Sequence, residues 1–383
     1  MKELTEPDWD PLSAAVSDDP LISYDDMRRR CPVAYSPLLG WSLFRHADVI
    51  RVLDDPETFS NSVSTHRSVP NGMDPPEHTT YRSAIDPFFR PQLMRRFEPI
   101  CRTLAMDALM PVAAGSVFDV MEDFAVPFAV RCQCAFLGWP NELVEPLRDW
   151  TRRHQRASSA MDRALLSEMA LELHSIVSEL LAARRAGPAA LDDVTSLLMQ
   201  AQVDGAALTD ADLTSIFRNW TVGEVGSLAA AIGIVTYELA VNASLHQTLR
   251  ERPELLSIAI DEILRVTGPL ILNRRVATRD VVVGERHIAA GQRLSLFWVA
   301  ANRDPEVFDT PEEVRLDRNP ADNLLYGRGI HVCPGAPLAR LELQRAIEAL
   351  LGRCQRIELD DNQRARRAAY PASGWVFLPI RFA

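Results

Sequence analysis

The most informative stretch of the chain is LLYGRGIHVCPGAPLARLEL, residues 324–343. Cys333 lies among Gly327, Gly329 and Gly335, residues that permit tight turns and close backbone approach. A helix is expected from about Ala336. Pro337 suits its first turn, the apolar spacing of ARLELQRAIEALLG sustains it, and Gly352 is read as its C-cap. A sulfur at a helix N-terminus meets backbone N–H groups and the positive end of the dipole, and both stabilise its thiolate. Such a group serves as a nucleophile or a metal ligand. The plain alternative for a lone cysteine is a small buried apolar group, but that role gives no reason for the glycines around it.

Outward from this loop, apolar residues recur at three and four positions in RFEPICRTLAMDALMPV (96–112), RALLSEMALELHSIVSELLAARRAG (163–187) and LTSIFRNWTVGEVGSLAAAIGIVTYELAV (213–241). Most of the chain from Pro87 to about Leu350 reads as helix. The 213–241 segment is apolar on most sides, as a helix through the centre of a domain is. Gly223, Gly226 and Gly233 each cost it roughly 1 kcal/mol relative to Ala, so something else must hold the helix or use the space they open. Strand signals are fewer: CPVAYSPLLGWSLFR (31–45) alternates as a hairpin before the short helix HADVIRVLDD, 278–305 holds a small sheet, and a strand pair closes the chain over 368–382. The class is mainly α with a minor β region. No linker, repeat or charge block divides the sequence, so a single domain over residues 1–383 is expected.

With 47% hydrophobic and 24% charged residues and a net charge of −11, the chain has the make-up of a soluble globular protein. Its acidity argues against nucleic acid as a partner, since phosphate binding relies on clustered Lys and Arg. The N-terminal stretch MKELTEPDWDPLSAAVSDDP has no apolar core behind a basic start. The longest apolar run, near Gly226 to Val235, reads as too short to cross a bilayer. A cytoplasmic, monomeric chain without a membrane partner is expected. Six irregularly spaced cysteines do not make a disulfide framework, and Cys132 and Cys134 lack a second pair to complete a zinc set.

YGRGIHVCPG followed by APLAR resembles the haem-ligand loop of the cytochrome P-450 family, with Tyr326 in place of the family's usual Phe. The resemblance runs from about Asp19 to the C-terminus and implies a P-450 fold enclosing a b-type haem with Cys333 as axial iron ligand. A thiolate in that place donates electron density that favours O–O cleavage. DEILR supplies the E-x-x-R pair, Glu262 and Arg265, which meet at i and i+3 and are implied to be buried rather than a solvated surface pair. MDPPEHTTYR places His78 and Arg82 four apart, RRVATRD supplies Arg275, and His331 precedes the cysteine by two; all four resemble haem-propionate anchors.

The central helix departs from the family. Thirty-five residues before Glu262, Ser227 takes the place of the usual Thr, Gly226 that of the acid, and Glu224 that of a Gly. In the family the alcohol steadies the water that delivers protons to oxygen and the acid relays them from bulk. With the acid gone, three routes are open: Glu224 relays through water although it lies about 200° around the helix from position 226, a polar group of the substrate completes the chain, or hydrogen peroxide replaces O2. Glu224 is otherwise a charge on the far face. By the same register Asn219, Val222 and Gly223 face the substrate, with Ile271, Leu272, Asn273, Pro371, Ala372 and Trp375 from later segments.

The implied protein is a haem b monooxygenase. It takes O2 as co-substrate and electrons from a separate ferredoxin or flavodoxin with its reductase, no reductase being fused, to hydroxylate or dealkylate a small organic substrate, aromatic ones included. Arg90, Arg95, Arg96, Arg328 and Arg340 are candidates for a basic face toward that carrier. The competing readings are a peroxide-driven peroxygenase and a non-catalytic haem protein.

Overall fold

The computed structural model describes residues 6–113, 115–187 and 192–383. The first five residues of the N-terminal stretch read for a targeting signal lie outside them. The chain gathers into two compact units, each assembled from two separate lengths of sequence: 1–79 with 261–333, and 80–260 with 334–383. Because each unit is discontinuous in sequence, no linker composition marks a boundary.

In the first unit a five-stranded sheet runs in the order Val33–Ser36, Gly40–Leu43, Arg293–Phe297, Leu272–Ala277, Phe59–Ser60. The expected hairpin forms, with Ser36 opposite Gly40. Gly40 has φ +70°, and a Cβ there would stand 2.4 Å from the carbonyl oxygen of Arg293, so glycine alone lets these strands approach. Helix His46–Leu53 sends Val49 and Val52 into a core with Trp41, Leu43, Leu294 and Leu296. Antiparallel pairing sets Leu294 opposite Arg275, so a well-packed sheet holds that arginine.

The second unit is mainly helical. Its longest helix, Asp210–Val241, starts at a capping box formed by Thr209 and Asp212. It packs against helices Val126–Leu137, Arg163–Ala186 and Ala336–Arg353. Its 32 residues are long and apolar enough to cross a membrane, which corrects the expectation drawn from the shorter Gly226 to Val235 run. The protein covers 61% of its most apolar window, as a core helix requires. The helix glycines divide by role. A Cβ on Gly233 would lie 2.6 Å from Met121 Sδ, whereas nothing lies within 4 Å of one on Gly223 or Gly226.

Two terminal features differ from expectation. Helix Ala336–Arg353 runs past Gly352, because Arg250 Nη1 donates to the carbonyls of Leu351 and Cys354 and satisfies the helix end that a left-handed glycine would otherwise close. The last two strands do not pair with each other. Trp375–Phe377 pairs with Arg366–Arg367, while Pro379–Phe382 lies between Ile357–Leu359 and Val117–Asp119. The single residue between them, Leu378, is too short for a hairpin turn, and its N–H is taken by Asp119 Oδ1 at 2.9 Å.

Gly40→Ala combines a left-handed backbone with a steric clash and is expected to cost about 2 kcal/mol or more. Urea unfolding followed by tryptophan fluorescence checks this; an unchanged midpoint contradicts the close approach.

Candidate functional site

The first unit carries Cys333, His78, His331 and Arg275. Cys333 is exposed, whereas Cys101, Cys132 and Cys134 are buried and take the role of small apolar groups. Its loop is shaped by backbone bonds, Gly327 N to Leu324 O at 2.9 Å, Val332 N to Gly329 O at 3.1 Å and Cys333 N to Tyr326 O at 2.9 Å. Gly329, at φ +72°, would set a Cβ 2.7 Å from the carbonyl oxygen of Leu53, so the loop seats against that turn only with glycine. Arg328 adds an ion pair to Asp54 at 3.0 Å.

His78, on helix Glu77–Ile85, is buried, and its ring centroid lies 4.1 Å from that of His331. Arg275 is 3% exposed. Its side chain donates only to the carbonyl oxygen of Arg274, at 2.7 Å, and no carboxylate lies within ion-pair distance of it among the described residues. Asp74, the acid whose charge acts on it, is engaged by Asn61 N at 2.9 Å and by Ser60 Oγ. Burial lowers the Arg275 guanidinium to about 10. A buried cation without a carboxylate fits an anionic carboxyl ligand, as a haem propionate is.

Glu262 and Arg265 form the buried pair that the resemblance implies. Arg265 donates through Nε and Nη2 to the two Glu262 oxygens, each at 2.8 Å. Its remaining donors reach the carbonyls of Asn302, Pro311 and Glu313, so all five N–H groups are used. Glu262 Oε1 also accepts from Arg318 Nε at 2.9 Å and Arg315 N at 3.1 Å. Arg318 was not legible in the sequence, since it lies fifty-six residues from its partner.

The second unit carries Arg82, the 219–227 face and the C-terminal turn. Arg82 Nε donates to Asp86 at 2.6 Å. Ser227 Oγ donates to the carbonyl oxygen of Gly223 at 2.6 Å, with Glu224 O at 3.3 Å, leaving its lone pairs to accept. Val222 is exposed and Gly223 and Gly226 face open space. Trp375 is buried against Tyr237 at 4.3 Å, with Arg367 over its ring. In the first unit Ile271 is buried, Leu272 half-buried and Asn273 exposed; in the second, Pro371 is exposed, and Ala372 and Asn219 are half-buried.

Glu224 is not a solvated charge on the far face. Its Oε1 is buried, and its carboxyl lies against that of Glu342, which is wholly buried. Burial raises both carboxyls, Glu342 well above the usual range. The sequence carried a signal for Glu342: with Leu338 and Ala346 at i−4 and i+4, it falls on the apolar face of its helix.

A model of the family described as "Cytochrome P450" matches residues 234–370. Putative cytochrome P450 126 of Mycobacterium tuberculosis (strain ATCC 25618 / H37Rv) is 35% identical over 337 residues, covering 82% of this chain and 80% of that one. Erythromycin C-12 hydroxylase of Saccharopolyspora erythraea is 31% identical over 369 residues, covering 92% of each. Among solved structures, open cytochrome P450 EryK from S. erythraea aligns with a TM-score of 0.88 at 29% identity, covering 96% of this chain and 97% of that one. The helical fold with a small sheet component matches the fold of that structure. The chain belongs to the cytochrome P450 family, and it is a monooxygenase that uses haem b and O2.

Two predictions follow from the buried charges. Arg265→Leu leaves Glu262 only Arg318 and the Arg315 N–H and removes the Arg265 donors from the carbonyls of Asn302, Pro311 and Glu313. It is expected to cost about 3–5 kcal/mol, read as a large fall in melting temperature; a small shift contradicts full burial. The raised carboxyl of Glu224 favours the folded state most fully below its ordinary value of 4.5, and that contribution is lost as pH rises through about 8; Glu342, raised well above the usual carboxyl range, acts in the same direction. Glu342→Leu therefore flattens the fall in stability across this window in a pH series of melts; an unchanged slope counts against protonated burial.

Proposed function

We propose that residues 1–383 act as one haem-thiolate monooxygenase unit, in which Cys333 would ligate the haem iron as its thiolate and His78, Arg82, Arg275 and His331 would hold the propionates. The observation that carries this reading is the exposed thiol on a loop whose glycine at 329 admits no side chain, in a chain whose Cys101, Cys132 and Cys134 are buried. The bound haem supplies the oxygen-activating redox chemistry. The protein residues orient, exclude water and move protons. The four anchors supply donors to carboxylates, and Arg275 arrives already buried and short of an anion. Ser227, its proton committed to Gly223 O, holds a water by accepting from it. Glu224 holds a proton one turn away.

The reaction we assign is hydroxylation, or dealkylation that follows hydroxylation, of a small organic substrate lying along Asn219, Val222, Gly223 and Gly226. The name of the erythromycin C-12 hydroxylase supports hydroxylation of an unactivated carbon. An aromatic preference has less support, because the Trp375 ring is taken up by packing on Tyr237. Electrons come from a separate ferredoxin or flavodoxin with its reductase. Of the basic residues proposed to face it, Arg90, Arg95 and Arg340 are exposed, while Arg96 and Arg328 are paired with Asp192 and Asp54. Gly226, in the acid's place, favours a second reading in which hydrogen peroxide is the oxidant.

The reduced enzyme under carbon monoxide is expected to show the far-red Soret band of thiolate coordination, lost in Cys333→Ser; a wild-type band at the position of a neutral ligand overturns the assignment. Turnover with peroxide alone, set against turnover with a ferredoxin system, separates the two oxidants. Ser227→Ala is expected to lower product formed per reductant by about tenfold or more while the substrate-induced spin shift keeps its midpoint; full coupling in this variant removes the alcohol role.

A further inference from the structure

Glu342 is fully buried, its two carboxyl oxygens have no hydrogen-bond partner among the described residues, and the carboxyl that acts on them is that of Glu224. The titratable groups that act on the two or are acted on by them are neutral or acidic: Cys101 from helix Pro91–Leu109, Cys132 and Cys134 from helix Val126–Leu137, and the carboxyls themselves from helices Asp210–Val241 and Ala336–Arg353. No cation acts on either carboxyl among the described residues. Burial also pushes the thiols up, Cys134 to about 12, so they add no charge near neutrality. An unpaired buried carboxyl destabilises a core that apolar side chains would fill without cost. A pair of them, one on the helix that carries Ser227 and the other on helix Ala336–Arg353, is what proton chemistry rather than packing requires.

Glu224 and Ser227 are three residues apart, on one side of their helix. Ser227 commits its proton to the helix and keeps its lone pairs open. Nothing lies within 4 Å of a Cβ on Gly223 or Gly226, so open space adjoins Ser227, room for water.

We propose that Glu224 and Glu342 act as one proton-sharing pair that supplies, through water at Ser227, the proton an acid at position 226 would otherwise deliver, with Glu342 as the positioning residue that lets Glu224 release it. The proposal rests on the reading of Ser227 as the oxygen-site alcohol. One proton leaves the Glu224 carboxyl for the water at Ser227. The proton left on Glu342 is then shared with the Glu224 carboxylate, which stabilises the single negative charge in a dry site. Bulk solvent returns the lost proton, and no electron moves at the pair. A lone buried Glu224 would hold its proton too tightly, because nothing would stabilise the anion left behind.

The test is infrared spectroscopy of the purified ferric enzyme over a pH series, with no turnover. Wild type is expected to show protonated-carboxyl absorption at pH 7, part of it lost around pH 8 and absent from Glu224→Gln. In Glu342→Leu the remaining Glu224 band is expected to titrate about one pH unit or more higher. Product per reductant is expected to fall about tenfold or more, with the substrate spin-shift midpoint unchanged; Glu342→Gln, which still donates a hydrogen bond, restores part of both. No protonated-carboxyl band in wild type at pH 7 overturns the proposal without relying on any variant folding. Unchanged titration and coupling in Glu342→Leu also overturn it. A shifted titration beside a fully coupled Ser227→Ala overturns the parent reading instead and, with it, the route through Ser227.

Discussion

The saturation of Arg265 is the interaction on which the first unit depends. A guanidinium at 1% side-chain exposure is tolerable only when each of its five donors finds an acceptor. Here two reach Glu262 and three reach the carbonyls of Asn302, Pro311 and Glu313. Those carbonyls belong to an irregular stretch with little regular structure of its own, and Arg318 returns from it to Glu262. One helix turn thus anchors the length of chain that leads into the cysteine loop, and the stack of Arg265 over Phe308 at 4.8 Å closes the remaining face.

Charge is handled in opposite ways in the two units. In the first, Arg275 is carried into the interior on a sheet strand and left without a carboxylate, a cation prepared for an anionic ligand. In the second, two carboxyls are buried together and, among the described residues, no cation acts on either. Each arrangement costs stability in isolation, and each is explained by chemistry at the site. The glycines follow the same logic. Gly329 and Gly233 permit close approach, whereas Gly223 and Gly226 stand beside open space and give the central helix a face without side chains.

Much was legible in the sequence because it is written in local spacing. The cysteine among its glycines, the i, i+3 meeting of Glu262 with Arg265, the helix start at Ala336 and the hairpin at Gly40 all depend on residues a few positions apart, where backbone geometry leaves little choice. Where the reading went astray, a distant residue had intervened. Arg250 ends the helix that Gly352 was expected to end, and Val117–Asp119 takes the strand expected to pair with its neighbour.

By itself, then, the amino-acid order determined which groups are candidates for the chemistry: the thiol at 333, the alcohol at 227, the His and Arg residues proposed as anchors and the glycine at 226. Only tertiary packing decided what those groups face. Burial raises the Glu224 carboxyl, helix Ala336–Arg353 brings Glu342 to it across more than a hundred residues, and the environment of a titratable group is set by whatever surrounds it in space, which no short-range pattern records.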